Sequence, residues 1–456
     1  MKKSLMLLTM SALIGMLALS GCGSNETEKP AEEPPKTEQG TAPKVDDSTK
    51  KVENFEMVIR HTNVLETSKP TLKVLEEVAA KTQEEVPGLK FKLDGVDDTT
   101  NRDVKLKAEM QAGIQPPIFN LFGGADTITY SQAGRLLPLN DILTEIGLGD
   151  AFLNLDSFTV DGKIYGLPES GFVEGFFYNK KIFAEAGVEV PKTWDEVYAV
   201  SEKIKEKGYI PIAMGAAGAD GWVPNMILNN LFIGLGGPDL QKGFKTGESK
   251  WTDPAVVGAF QHIRDLVEKG YIDKNALGID YAAGQANFYT GKAGMIFDGS
   301  WAIGGFTGDT SKIKDDIGFF RNPDIGGPGD GYINAGFSNG YGFSANLKDN
   351  ELEAVKAFIK NYYSKDNQKR LMIEISRIPS MKGITDLTGA KELTKSLGES
   401  QGTAKGAFPA FDDLVQKEVK MVLEKVVQEV MAGKTTPEDA AKKVQDAQDT
   451  ANAKKE

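Results

Sequence analysis

Phe55-Glu56-Met57-Val58-Ile59-Arg60, followed by Phe91-Lys92-Leu93 and Ile118-Phe119-Asn120-Leu121, is the stretch that decides the fold. Each segment is short and rich in apolar residues, the composition of a strand. Between the first two lies Thr71 to Val86, where Leu72, Leu75, Val78 and Ala79 recur at helical spacing and define one apolar face. Val104 to Ala112 reads as a second helix, and Pro117 leads into the third strand. Strands alternating with helices in this way imply a parallel sheet with helices on its faces, an α/β fold.

The pattern resumes further along. Phe176-Phe177-Tyr178 reads as a strand and Lys180 to Ala186 as a short helix. Thr193-Trp194-Asp195-Glu196 has the form of a capping box, with Thr193 as the cap and Glu196 reaching back. The helix it opens runs to Lys207, and Gly208 ends it. Pro211 to Met214, Ala293 to Phe297 and Ile317 to Phe320 read as strands; Pro254 to Lys269 and Glu351 to Ser364 read as helices. Thr436-Pro437-Glu438 starts the last helix, with Pro at its first position.

The N-terminal end has a different character. Lys2 and Lys3 precede the uncharged apolar run Leu5 to Leu19, too short for a stable membrane span and shaped like a secretory signal covering residues 1–21. It ends in Leu19-Ser20-Gly21-Cys22, which resembles the lipobox of bacterial lipoproteins. Cys22 is the one cysteine among 456 residues, and it is the expected lipidation site. Two acyl chains suffice for stable anchoring where one is marginal. Residues 22–53, rich in Glu, Lys, Thr and Pro, cannot bury a core and read as a disordered tether.

Composition narrows the function. The chain is 40% hydrophobic and 26% charged, ordinary for a globular protein, and long enough for two domains. A net charge of -12 argues against nucleic acid, which wants a basic face. Two His and one Cys leave little material for a zinc site or a Cys/His nucleophile, so no metal or cofactor is expected. Gly291-Lys292-Ala293 lacks the Ser or Thr and the upstream glycines of a phosphate loop.

Several segments taken together resemble one family. They are Phe177-Tyr178-Asn179-Lys180, Pro191-Lys192-Thr193-Trp194-Asp195-Glu196, Gly291-Lys292-Ala293-Gly294-Met295, Asp298-Gly299-Ser300-Trp301, and Val430-Met431-Ala432-Gly433-Lys434 before Pro437-Glu438-Asp439-Ala440. Their order and spacing resemble the extracellular solute-binding proteins of carbohydrate ABC importers, the group that includes maltose-binding protein. The resemblance implies two α/β lobes around a hinged cleft, each discontinuous in sequence. Crossings are expected near Pro168 to Val173, Ile317 to Arg321 and Phe358 to Tyr363. The first lobe would comprise residues 54–169 and 320–357, the second 170–319 and 358–452. It further implies a monomeric, non-enzymatic receptor, lipid-anchored outside a Gram-positive cell membrane, that passes a carbohydrate to the permease subunits of an importer. A peptide or small polar metabolite is the alternative ligand.

A neutral sugar offers hydroxyls and an apolar ring face, so its site needs flat aromatic rings and paired hydrogen-bonding groups. Trp194 and Trp251 sit at helix starts and read as packing, whereas Trp222 and Trp301 follow strands, where α/β folds place ligands. Trp301, after Asp298-Gly299-Ser300, either packs on its own lobe or faces the cleft; the turn and the family position favour the cleft. By the same reasoning His61, Asp126, Glu169, Glu174, Tyr178, Asp298, Asn339, Tyr341 and Arg377 are candidate ligand contacts. Arg377 is open between forking onto vicinal hydroxyls and pairing with a carboxylate. A secreted glycosidase would need a pair of carboxylates, and none of the 65 acidic residues is singled out for that role.

Overall fold

The computed structural model of the chain describes residues 53–454. The expected signal peptide, Cys22 and nearly all of the expected tether lie outside the described residues. Two sheets organise the rest. β1 (Phe55–His61), β2 (Leu89–Gly95) and β3 (Ile118–Phe122) are parallel, with β1 between the other two. A hairpin of β4 (Thr159–Val160) and β5 (Lys163–Ile164) precedes β6 (Gly166–Pro168) at the edge of this sheet. The chain then enters a second sheet through β7 (Phe172–Asn179), β8 (Ile210–Ala213), β9 (Ala293–Gly299), β10 (Ile317–Phe320) and β11 (Tyr332–Gly336). β12 (Asn339–Phe343) returns to the first sheet between β3 and β6, and β13 (Gly406–Phe408) borders the second. The orders are β2-β1-β3-β12-β6 and β13-β11-β7-β9-β8, with β10 also paired to β7.

The helices form where the apolar spacing demands. Helix Lys69–Glu85 buries Thr71, Val74, Leu75, Val78, Ala79 and Thr82, a three-and-four repeat facing the first sheet's core. Leu72, expected on that face, is half-buried because the stripe centres on Val74 and Val78 instead. Before helix Trp194–Glu206 the Thr193 hydroxyl accepts from the Glu196 N–H at 3.3 Å. The Glu196 carboxylate reaches one residue past the cap, to the Lys192 N–H at 2.6 Å. The reading of Val104 to Ala112 as one α-helix needs correction: Asn101–Lys105 winds as a wider π turn, and only Leu106–Ala112 is α-helical.

Two of the expected crossings fall elsewhere. The chain does change sheet at Glu169–Gly171, between β6 and β7. Ile317–Phe320, however, is β10, antiparallel to β7, with Phe320 stacked 5.1 Å from Phe176 inside the second core. The return occurs at Phe337 and Ser338, between β11 and β12. Phe358 to Tyr363 is no crossing either: Phe358, Tyr362 and Tyr363 are buried in the first core with Phe91 and Tyr341. Met381 still belongs to that core and Leu393 to the other lobe, so the third passage lies between them. Gly171 sits where the passages meet, and a Cβ there would lie 2.9 Å from both Ile378 and Phe337. Its N–H donates to the Ile378 carbonyl at 2.8 Å. Among the described residues no helix is long and apolar enough to cross a membrane.

Candidate functional site

The ends of β1, β2 and β3, the passages around Ser170 and Ser338, and loops of the second sheet enclose a cavity of about 300 Å³. Lying beyond the carboxyl ends of parallel strands, it occupies the usual ligand position of open α/β sheets. One wall is aromatic. Trp301 belongs to a single 3₁₀ turn, Ser300–Ala302, and its ring folds back over Gly299, where a Cβ would stand 2.1 Å from the indole. Only glycine permits that approach. Phe172 meets Trp301 at 6.0 Å between ring centres, and Trp222 meets Tyr281 edge-on at 4.7 Å.

A buried carboxylate fixes this wall. The Trp301 Nε1–H donates to the Tyr281 hydroxyl at 2.9 Å, and that hydroxyl donates to Asp298 at 2.8 Å. Asp298 also accepts from Gln285 Nε2 at 2.9 Å and from the Gly299 N–H at 2.7 Å. Burial raises its pKa to about 6 despite these hydrogen bonds. Gln285 in turn accepts from the Thr67 hydroxyl of the other lobe at 2.8 Å.

Charges join the lobes on the opposite side. The Arg102 guanidinium, 3.6 Å above the Phe122 ring, bonds Asp126 of its own lobe at 3.0 Å and Asp412 of the other at 2.6 Å. Lys417 approaches Asp103 at 3.0 Å and Asp126 at 3.5 Å, and Lys420 lies 3.5 Å from Asp103 and 3.3 Å from Glu424. Burial lifts Asp98 to about 6 and Glu424 to about 7, with the nearby cations pulling the other way.

Of the residues named from the sequence, Glu169, Glu174, Trp222, Trp301, Asn339 and Arg377 line the cavity. Trp222 does so as the first residue of helix Trp222–Gly236, not from a loop. Arg377 makes no ion pair among the described residues; it donates to Thr71 at 3.1 Å and Ser170 at 3.5 Å. Five others lie off the cavity wall. His61 is buried opposite Gly95, its Nδ1 accepts from the Asn63 N–H at 3.2 Å, and burial lowers its pKa. Asp126 is spent on Arg102 and Lys417. Tyr178 stands four residues beyond Glu174, roughly 13 Å along the strand, and packs on Phe183 and Phe320. Tyr341 lies two residues inside β12 and is 1% exposed in the first core. Asp298 supports Tyr281 from behind. Sequence reasoning missed Phe172, Tyr281, Arg102, Phe411 and Asp412. Phe172 adjoins the first crossing, which was its available signal.

The family signature of the bacterial extracellular solute-binding proteins matches residues 67–369. A diacetylchitobiose-binding protein of Streptomyces coelicolor is 26% identical over 75% of this chain and 78% of its own. An uncharacterized ABC transporter extracellular-binding protein of Pyrococcus horikoshii is 28% identical over 71% of this chain and 69% of its own. The solved structure of a chitin oligosaccharide-binding protein superposes with a TM-score of 0.85 and 57% identity, covering 88% of this chain and 99% of that one. With two sheets joined by three passages around a cleft, and with that signature across most of its folded length, the chain belongs to the bacterial extracellular solute-binding proteins.

Proposed function

We propose that this chain is a lipid-anchored receptor that captures a chitin oligosaccharide in its interlobe cavity and passes it to the permease subunits of an ABC importer. The aromatic wall carries the reading. Trp301, held by Tyr281 and Asp298 and flanked by Phe172, offers a fixed flat face of the kind a pyranose ring stacks on. Asn339, Arg377 and Glu169 supply hydrogen-bonding groups around it. The 57% identity to a chitin oligosaccharide-binding protein favours that sugar class over a peptide or a small metabolite. The role is binding without turnover, by a monomer. Titration calorimetry with N,N′-diacetylchitobiose and its longer homologues tests the reading, with chromatography of the recovered sugar. Binding without cleavage is expected; no heat with any chitin oligosaccharide, or a cleaved product, contradicts it.

The anchor rests on Leu19-Ser20-Gly21-Cys22 behind a charged and then apolar start. It places the receptor on the outer face of a cell membrane, as in Gram-positive bacteria. Cys22→Ala should move the protein from the membrane fraction to the medium. Unchanged fractionation would remove the anchor from the account.

A further inference from the structure

The cavity holds more negative charge than a neutral sugar requires. Eight acidic side chains line it against three cations, Arg102, Arg377 and Lys420. The cations are engaged: Arg102 with Asp126 and Asp412, Lys420 with Asp103 and Glu424, Arg377 with two hydroxyls. Glu174 has no such partner. It is 5% exposed, and among the described residues its one hydrogen bond is long, 3.4 Å from Asn230 Nδ2. Glu169, 7% exposed, has an Oε1 with no hydrogen-bond partner among the described residues. Among the described residues neither carboxylate is ion-paired, and no group of three or more acidic or His residues is arranged to hold a metal ion. A buried carboxylate left without a partner is costly unless a ligand completes it.

Building on the oligosaccharide reading, we propose that the cavity takes a partly deacetylated chitin oligosaccharide, with the protonated amino group of one sugar unit paired to Glu174. The groups facing Glu174 are Asp298 of β9, Asp412 of helix Phe411–Leu414 and Asn230 of helix Trp222–Gly236, and none of them is a cation. An ammonium at this point would meet Glu174 directly, with Asp298 and the Arg102-paired Asp412 close by. Burial, then Asp412 and Asp298, push Glu174 well above the usual carboxylate range. Burial thus favours the protonated form of Glu174, whereas an ion pair favours the ionised one. On binding, the arriving ammonium keeps its protons, the proton that burial favours on Glu174 passes to solvent, and an ion pair forms. A neutral N-acetyl group at the same place releases nothing.

The experiment is titration calorimetry of the mature chain at pH 6.5, in buffers of different ionisation enthalpy. The ligands are N,N′-diacetylchitobiose and the disaccharide with both nitrogens free, whose amines are largely protonated below about pH 7.5. The free-amine disaccharide is expected to bind at least about tenfold tighter and to release protons on binding. Glu174→Gln, verified as folded by its thermal melt, should abolish both the preference and the release. If that variant does not fold, the wild-type comparison and its proton count decide alone. Equal or tighter binding of the diacetylated sugar, with no proton released, overturns the amine proposal and leaves the oligosaccharide reading standing. Failure of both sugars to bind overturns the two together.

Discussion

Trp301 illustrates how one side chain is assigned by its surroundings. Its indole N–H is held by Tyr281 and its ring rests on Gly299, so the face that remains is already fixed before a ligand arrives. Fixing it in advance lowers the ordering cost of binding. Loss of one large aromatic at a ligand should cost roughly 2–4 kcal/mol, so Trp301→Ala should weaken chitin-oligosaccharide binding about thirtyfold or more. Titration of the variant checks this, and near-normal affinity would make Trp301 part of the core. Asp298, behind it, gives a pH signature. Its native pKa is raised from the ordinary 3.8 to about 6. Between those values the native state keeps a proton that the unfolded chain has released, so ionising Asp298 costs stability as pH rises through the window. The melting temperature of wild type relative to Asp298→Asn should fall from pH 4 to pH 6 and level off above. The change corresponds to at most about 3 kcal/mol. A difference that stays constant with pH would contradict the assignment.

Elements differ in how far local sequence determines them. Helix Trp194–Glu206 starts at Thr193, where its cap lies in the sequence, and Trp194 is 2% exposed in the second core beside Phe176. Truncating a buried Trp costs about 3–5 kcal/mol, so Trp194→Ala should melt early while keeping near-normal affinity, the reverse of Trp301→Ala. A paired melt and titration separates the two. Helices and strands of this kind were legible because periodicity and caps are local signals. The crossings were not, because Ile317–Phe320 would make an equally good strand in either sheet; its pairing with β7 selects the second. Helix Asp349–Tyr362 likewise shows an apolar face without showing which core receives it. Six of the eleven candidate contacts line the cavity, for a related reason. Glu169, Glu174 and Asn339 flank strand ends, whereas Tyr281 reaches the cavity from the start of a helix with no distinguishing pattern. Tyr341 misled because a tyrosine two residues into a central strand looks the same in sequence whether it faces a core or a cleft.

Across the whole molecule, the lobes are held together in this conformation by side chains from both: Arg102 and Asp126 against Asp412 and Lys417, and Thr67 against Gln285. Such contacts need the two lobes to approach each other, so they favour the conformation seen here. A hydrogen bond to a charged group is worth about 1.5–3 kcal/mol. Asp412→Asn should therefore expand the ligand-free particle in small-angle scattering and weaken sugar binding by about tenfold or more. An unchanged radius and affinity would show that the ion pairs do not govern closure. On the proposed reading, an oligosaccharide lies between the lobes with a ring face on the aromatic wall. A crystal structure of the mature chain with a chitin disaccharide tests it most directly. A pyranose ring is expected to stack on Trp301, with Glu169, Glu174 or Asn339 within hydrogen-bond reach and contacts from both lobes. A disaccharide bound outside the cavity, or inside it with Trp301 touching only its own lobe, would rule out the aromatic wall as the sugar-binding face.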